Sequence, residues 1–149
     1  MGTARVDFYV LPDADERGRL TLACRLAEKA CLLDHRVFVR AASAAEAQAL
    51  DDLLWTFADR SFVPHELAGT GREQDVPVVI GHDAGPETHA DLLVNLGQDV
   101  PAGFGRYARI AEVIDGDEQR RQLGRERFRF YREQGIEPDS HRIGARDEP

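Results

Sequence analysis

The chain has 149 residues, of which 31% are charged, and its 27 acidic and 19 basic side chains give a formal net charge of −8. This is the length of one domain with a sizeable apolar core, and a hydrophobic content of 42% predicts a folded chain rather than a disordered one. An overall anion repels phosphate backbones, which excludes non-specific binding of nucleic acid or anionic membranes as a property of the whole surface. No basic leader precedes an apolar run, and no run approaches the roughly 18 residues of a membrane span, so we expect a cytoplasmic protein.

Strands and helices alternate along the first part of the chain. Aromatic and β-branched side chains over residues 5–11 predict a first strand. Apolar residues at helical spacing predict a helix over 20–33, and a short alternating segment predicts a strand over 36–40. Ser43 and Glu46 form a capping box, which predicts a second helix over 44–57.

The second part of the chain again alternates predicted strands and helices, after an irregular segment. Residues 61–74 follow neither period and contain one proline and two glycines, which is typical of an ordered, exposed connection. Three further apolar runs predict strands, over 76–80, 90–96 and 110–114. A helical turn is expected over 104–109 and a last helix over 117–134, which ends at Gly135.

This alternation predicts a Rossmann-like, three-layer α/β sandwich with a mostly parallel central sheet of about five strands. We expect one domain over residues 1–136. Residues 137–149 contain Pro138 and a charged end, and we expect a flexible tail there.

Few residues suggest catalysis. The turn after the first strand carries Asp13, Asp15 and Glu16, which would repel a pyrophosphate where a dinucleotide-binding fold needs glycines. We therefore predict no catalytic residue, no metal site and no cofactor. The alternative is an α/β enzyme that processes nucleotides or phosphoesters with His65, His82 or the Asp-rich loops.

The last helix concentrates positive charge. Residues 120–132 hold six arginines and one glutamate, a local charge of +5, so the rest of the chain carries −13. Arg121, Arg125, Phe128 and Arg129 recur at helical spacing as a cationic stripe with an aromatic ring. One interpretation is a solvated face that complements the helix dipole. The other is a site for an anion with an apolar group, for which a short acidic peptide fits better than a long single strand of nucleic acid.

A second aromatic group lies beside the irregular connection. Trp55 is the only tryptophan, and Phe62 and Pro64 follow it closely. Such residues supply much of the buried area at protein interfaces, and they also pack cores. The sequence leaves a partner surface and core packing both open.

Three segments together resemble a known family. The stretches 61–69 (SFVPHELAG) and 123–132 (LGRERFRFYR), with the opening 6–11 (VDFYVL), are similar to the chi subunit of bacterial DNA polymerase III. The similarity extends over roughly residues 5–136 in the same order and spacing. Two departures are that Phe128 stands where the family commonly has tyrosine, and that arginines stand where it often has lysines.

The resemblance implies a non-catalytic accessory protein of the clamp loader, associated with the replisome, that links the replicase to single-stranded DNA-binding protein. It implies that the acidic, phenylalanine-ended tail of that protein binds at Arg121, Arg125, Phe128 and Arg129. It further implies that the psi subunit, where an organism has one, docks at Trp55, Phe62 and Pro64, and that certain members engage a helicase-like repair protein there. DNA would be held only indirectly.

Overall fold

Seven parallel strands form one sheet in the computed structural model, which describes residues 4–58 and 62–143. The strands are β1 (Arg5–Val10), β2 (Val37–Arg40), β3 (His65–Leu67), β4 (Val78–Gly81), β5 (Leu92–Asn95), β6 (Arg109–Ile114) and β7 (Asp139–Arg142). They are arranged in the order β3-β4-β2-β5-β6-β1-β7. The first and last strands of the chain are therefore neighbours.

Each of the three α-helices begins at a side-chain cap. They are α1 (Glu16–Leu32), α2 (Ala44–Leu54) and α3 (Glu118–Glu133). Asp15, Ser43 and Asp117 accept hydrogen bonds from backbone amides of the first turns of α1, α2 and α3, at 2.9, 3.1 and 2.9 Å. Short 3-10 turns over Glu73–Asp75 and Phe104–Arg106 complete the described elements.

The helices cover both faces of the sheet. Apolar residues of α1 and α2 pack with alternate residues of the central strands in one core cluster. On the opposite face, Tyr131 of α3 packs with Phe8, Leu93 and Ile110 in a second cluster. This doubly covered parallel sheet confirms the predicted Rossmann-like three-layer sandwich.

The expected number of strands was wrong, because the sheet has seven rather than about five. The first additional strand, β3, lies inside the segment 61–74 that was expected to be a connection. The second, β7, lies in the segment 137–149 that was expected to be a flexible tail. Residues 144–149 of that tail lie outside the described residues.

Two helix boundaries also differ from the expectation. Helix α1 begins at Glu16, one turn before Leu20, because the Asp15 carboxylate caps it. Helix α2 ends at Leu54 rather than at residue 57. The helical turn over 104–106 and the end of α3 before Gly135, whose φ is +85°, agree with the prediction.

None of the helices in the described part of the chain is long and apolar enough to cross a lipid bilayer.

Candidate functional site

Buried polar contacts set the rotation of α3 about its axis. Glu112 of β6 is fully buried, and Arg127 Nε donates to it at 2.9 Å. The Tyr131 hydroxyl donates to the same carboxylate at 2.6 Å, and Asn95 adds a bond at 3.1 Å. Burial together with the charge of Glu112 raises the pKa of Tyr131 far above its usual range, so the hydroxyl keeps its proton. Because Arg127 and Tyr131 point at the sheet, the row Arg121, Arg125 and Arg129 turns away from Glu112.

The six arginines of α3 differ in their partners. Arg120 and Arg127 are neutralised by the buried carboxylates of Asp115 and Glu112. Arg132 lies 3.6 Å from Glu137. No carboxylate among the described residues forms an ion pair with Arg121, Arg125 or Arg129, which are the three arginines that the sequence selected.

A groove of about 550 Å³ lies beside these residues, between α3 and β7. This is within the range of small-ligand pockets. Three of the predicted site residues line it, namely Arg121, Arg125 and Phe128. Its apolar floor comes from the sheet, and the rings of Phe8 and Phe128 are 5.1 Å apart.

Arg121 is one of the residues that line this groove. Its Nη2 donates to the Pro12 carbonyl oxygen at 3.2 Å, which places the guanidinium beside the loop after β1. Its Nε is buried and has no hydrogen-bond partner in the described part of the chain.

Arg129 lies in an adjacent groove of about 410 Å³, lined by Arg125, Phe128, Arg129, Arg132 and Glu133. Arg125 and Phe128 belong to both grooves. The structure therefore brings the four predicted residues together on one continuous basic surface, with Arg129 outside the first groove.

The sequence did not predict the second wall of the first groove. It consists of Ser140, Arg142 and Ile143, which lie on or directly after β7. Arg142 adds a third guanidinium to Arg121 and Arg125. No local pattern marks these residues, because their position depends on the pairing of β7 with β1.

The second predicted surface is an exposed aromatic pair. Trp55 is 53% exposed and Phe62 is 69% exposed, and their ring centroids are 5.7 Å apart. The Trp55 ring also packs on the buried His65 at 4.5 Å, while Pro64 is half-buried beside them. His65 Nδ1 lies 2.6 Å from the Val63 carbonyl oxygen, and the His65 ring supports Trp55. Core packing therefore does not account for Trp55 or Phe62.

The carboxyl edge of the sheet, where nucleotides bind in many folds of this type, holds a third cavity of about 340 Å³. Its arginines are already engaged: Arg19 pairs with Glu46, and Arg120 donates twice to Asp115, at 2.8 and 2.7 Å. Burial raises the pKa of Asp115, but the hydrogen bonds from Arg120 and two backbone amides outweigh it and hold the value at about 2. A phosphate would have to displace these carboxylates.

Fold and site together define a Rossmann-like α/β protein with a basic, apolar-floored groove on one face and an exposed aromatic pair on the other. The family model described as "DNA polymerase III chi subunit, HolC" matches residues 3–139. The DNA polymerase III subunit chi of Pseudomonas aeruginosa is 42% identical over 139 residues, which are 93% of this chain and 96% of the relative.

More distant relatives carry the same name. The subunit chi of Haemophilus influenzae is 28% identical over 138 residues, covering 92% of this chain and 96% of its own. The subunit chi of Escherichia coli is 30% identical over 119 residues, which are 77% of this chain and 79% of the relative. The chain belongs to the DNA polymerase III chi-subunit family.

Proposed function

We propose that this protein is a non-catalytic accessory subunit of the clamp loader that binds the acidic C-terminal tail of single-stranded DNA-binding protein. In this role it links the replicase to DNA at the replisome in the bacterial cytoplasm, and supports replication and repair without holding DNA itself. The observation that carries the proposal is a set of three arginines that form no ion pair with a carboxylate of the described residues and that lie beside an apolar groove, in a chain of net charge −8.

The chemistry of the groove fits such a tail. Guanidinium groups bind carboxylates through paired hydrogen bonds, so Arg121 and Arg125 suit the terminal carboxylate and neighbouring acidic side chains. Phe128 and Phe8 provide an aromatic surface for the terminal phenylalanine ring. Arg129, in the adjacent groove, suits acidic residues upstream of that ring.

The test is a titration of a labelled acidic peptide ending in phenylalanine against the full chain. The Arg125→Ala, Arg129→Ala double variant should bind at least roughly tenfold more weakly, because each hydrogen bond to a charged group contributes about 1.5–3 kcal/mol. The matched control is Lys29→Ala, Arg72→Ala, which removes the same charge at exposed positions outside both grooves and should retain wild-type affinity.

Two further measurements sharpen the result. Affinity should fall as salt is added, since exposed charges are screened. Equal affinities in the double variant and the control would refute the site. Tight binding of a single-stranded oligonucleotide at the same arginines, without binding of the peptide, would refute the proposed ligand.

We propose in addition that the aromatic pair Trp55 and Phe62, with Pro64 beside it, docks a second protein of the complex. The psi subunit of the clamp loader is the proposed partner, and a helicase-like repair protein would use the same surface. The exposure of both rings supports this, since large apolar side chains left in water together are typical of interaction sites.

A further inference from the structure

We propose that His141 is a positioning residue for the groove: through its bond to the buried Asp7, it holds β7 in the place where that strand forms the second wall. The inference rests on the proposed binding of an acidic tail in this groove. His141 itself has no access to a bound peptide, and it acts through the strand that carries it.

Side chains of β7 point to both faces of the sheet, and those on one face line the groove. Its register pairs Ser140 with Phe8 and Arg142 with Val10, and all four of these residues line the groove. His141 pairs with Tyr9 and points to the opposite face of the sheet, as alternation along a strand requires. Any effect of His141 on a ligand must therefore pass through the position of the strand.

On that opposite face, His141 joins a cluster of partly exposed side chains around one buried carboxylate. The Asp7 carboxylate is fully buried, and His141 Nε2 donates to it at 2.9 Å. Arg109 Nε donates to the same carboxylate at 3.0 Å, and Arg5 Nε lies 3.2 Å away. The Tyr9 ring stacks on the imidazole with centroids 4.9 Å apart and an angle of 20°.

The ionisation of Asp7 fixes the direction of this hydrogen bond. Burial raises the pKa of Asp7, but the hydrogen bonds from His141 and Arg109 and the charges of Arg109 and Arg5 outweigh it and lower the pKa below its usual value. An ionised carboxylate can only accept, so His141 Nε2 carries the proton.

Strand β7 needs such an attachment because little else holds it. It is an edge strand of four polar residues, and Asp139, Ser140 and Arg142 are exposed. Apart from the ladder to β1, the backbone of the described residues adds one bond to this segment, from Ile143 N to the Val10 carbonyl oxygen at 2.9 Å. The family match covers residues 3–139, so Asp7 lies within it and His141 lies outside it.

The experiment compares three variants of the full chain. His141→Ala removes the donor, whereas His141→Gln keeps an N–H that can reach Asp7. His82→Ala is the matched control, since His82 is an exposed histidine beside an exposed carboxylate, 3.8 Å from Asp83 and outside the groove. Each variant is measured for affinity toward the acidic peptide and for amide hydrogen exchange over residues 139–143.

His141→Ala should bind the peptide roughly three- to tenfold more weakly, because the apparent affinity falls with the fraction of molecules in which the wall is in place. Exchange over 139–143 should accelerate in the same variant. His141→Gln should restore most of the peptide affinity and most of the protection from exchange. His82→Ala should match the wild type in both measurements.

Wild-type affinity in His141→Ala would overturn the proposal, as would unchanged exchange over 139–143. A loss that His141→Gln does not restore would also overturn it, because the bond to Asp7 would then not be its cause. Failure of the wild-type chain to bind the peptide would instead refute the proposed function, and the exchange comparison would still report separately whether His141 holds β7.

Discussion

Asp115 holds the first turn of α3 in place through its hydrogen bonds. Its fully buried carboxylate accepts two bonds from Arg120 and one each from the backbone amides of Asp15 and Asp117. The same side chain thus connects the turn before α3 with the turn before α1. Arg120, which these bonds hold in place, is followed in α3 by Arg121, and the Arg121 side chain lines the groove.

The low pKa of Asp115 makes its contribution to stability depend on pH. The folded value is about 2 against an ordinary 3.8, so the stabilisation is complete above about pH 5 and is lost as the pH falls toward 2. Asp115→Asn should lower the free energy of unfolding by about 2 kcal/mol at pH 6, and the gap to wild type should narrow by about 1 kcal/mol at pH 3.

Urea unfolding followed by circular dichroism at the two pH values measures this gap. Asp75→Asn, at an exposed position in a 3-10 turn, is the control and should show no such change between them. A gap for Asp115→Asn that stays constant with pH would contradict the assignment.

At the scale of elements, the contact of α3 with β6 depends on a glycine. Glycine within a helix costs about 1 kcal/mol relative to alanine, yet Gly124 is buried in the middle of α3. A methyl group there would lie 2.3 Å from Ile114 Cδ1 on β6. Gly124 and Ile114 both line the groove, so the missing side chain keeps α3 close and the groove open.

Gly124→Ala should therefore affect binding more than folding. The gain in helix propensity and the cost of moving the Ile114 side chain are of similar size, so the free energy of unfolding should change by less than about 1.5 kcal/mol. Affinity for the acidic peptide should fall by roughly fivefold or more, because the added methyl and the displaced isoleucine fill the groove.

Gly105→Ala is the matched control for this variant, since a methyl group there meets no atom within 4 Å. Peptide titration and urea unfolding are measured on both. A Gly124→Ala protein that is more stable than wild type and binds with full affinity would contradict the argument.

Most of the strands and helices could be predicted from the sequence. The five apolar strands and the three helices were predictable, because buried β-branched runs and helical spacing are local signals. Strands β3 and β7 were not, since they are short edge strands that take their conformation from a neighbour. Helical spacing is a local signal too, and it was enough to find the stripe on α3. The positions of Arg142 and His141 depend instead on the pairing of β7 with β1, whose partner residues are 132 apart in the chain.

For the molecule as a whole, the two candidate surfaces lie far apart. The aromatic pair adjoins β3 at one edge of the sheet, while the groove lies over β1 and β7 at the other. Five strand spacings separate β3 from β1, which is roughly 24 Å. The surfaces also lie on opposite faces, since Phe8 belongs to the α3 side of the core and α2 to the other. The two proposed partners would therefore not compete for one surface.

This separation predicts independent effects of mutation. Trp55→Ala, Phe62→Ala should reduce the recovery of clamp-loader subunits with the tagged chain from its native cells, and should leave peptide affinity within about twofold of wild type. The Arg125→Ala, Arg129→Ala variant should show the reverse. If either variant, while still folded, lost both the recovery of clamp-loader subunits and the affinity for the peptide, the existence of two separate surfaces would be contradicted.

The pairing of β7 with β1 has a consequence for biosynthesis. Domains begin to fold while the chain is still being made, at about 5–20 residues per second. Strand β7 follows the other six described strands in the chain, so it is synthesised after all of them, and the second wall is added after those strands. A chain that terminates before β7 would lack this wall, and under the proposed function it would bind the acidic tail more weakly than a chain that contains β7.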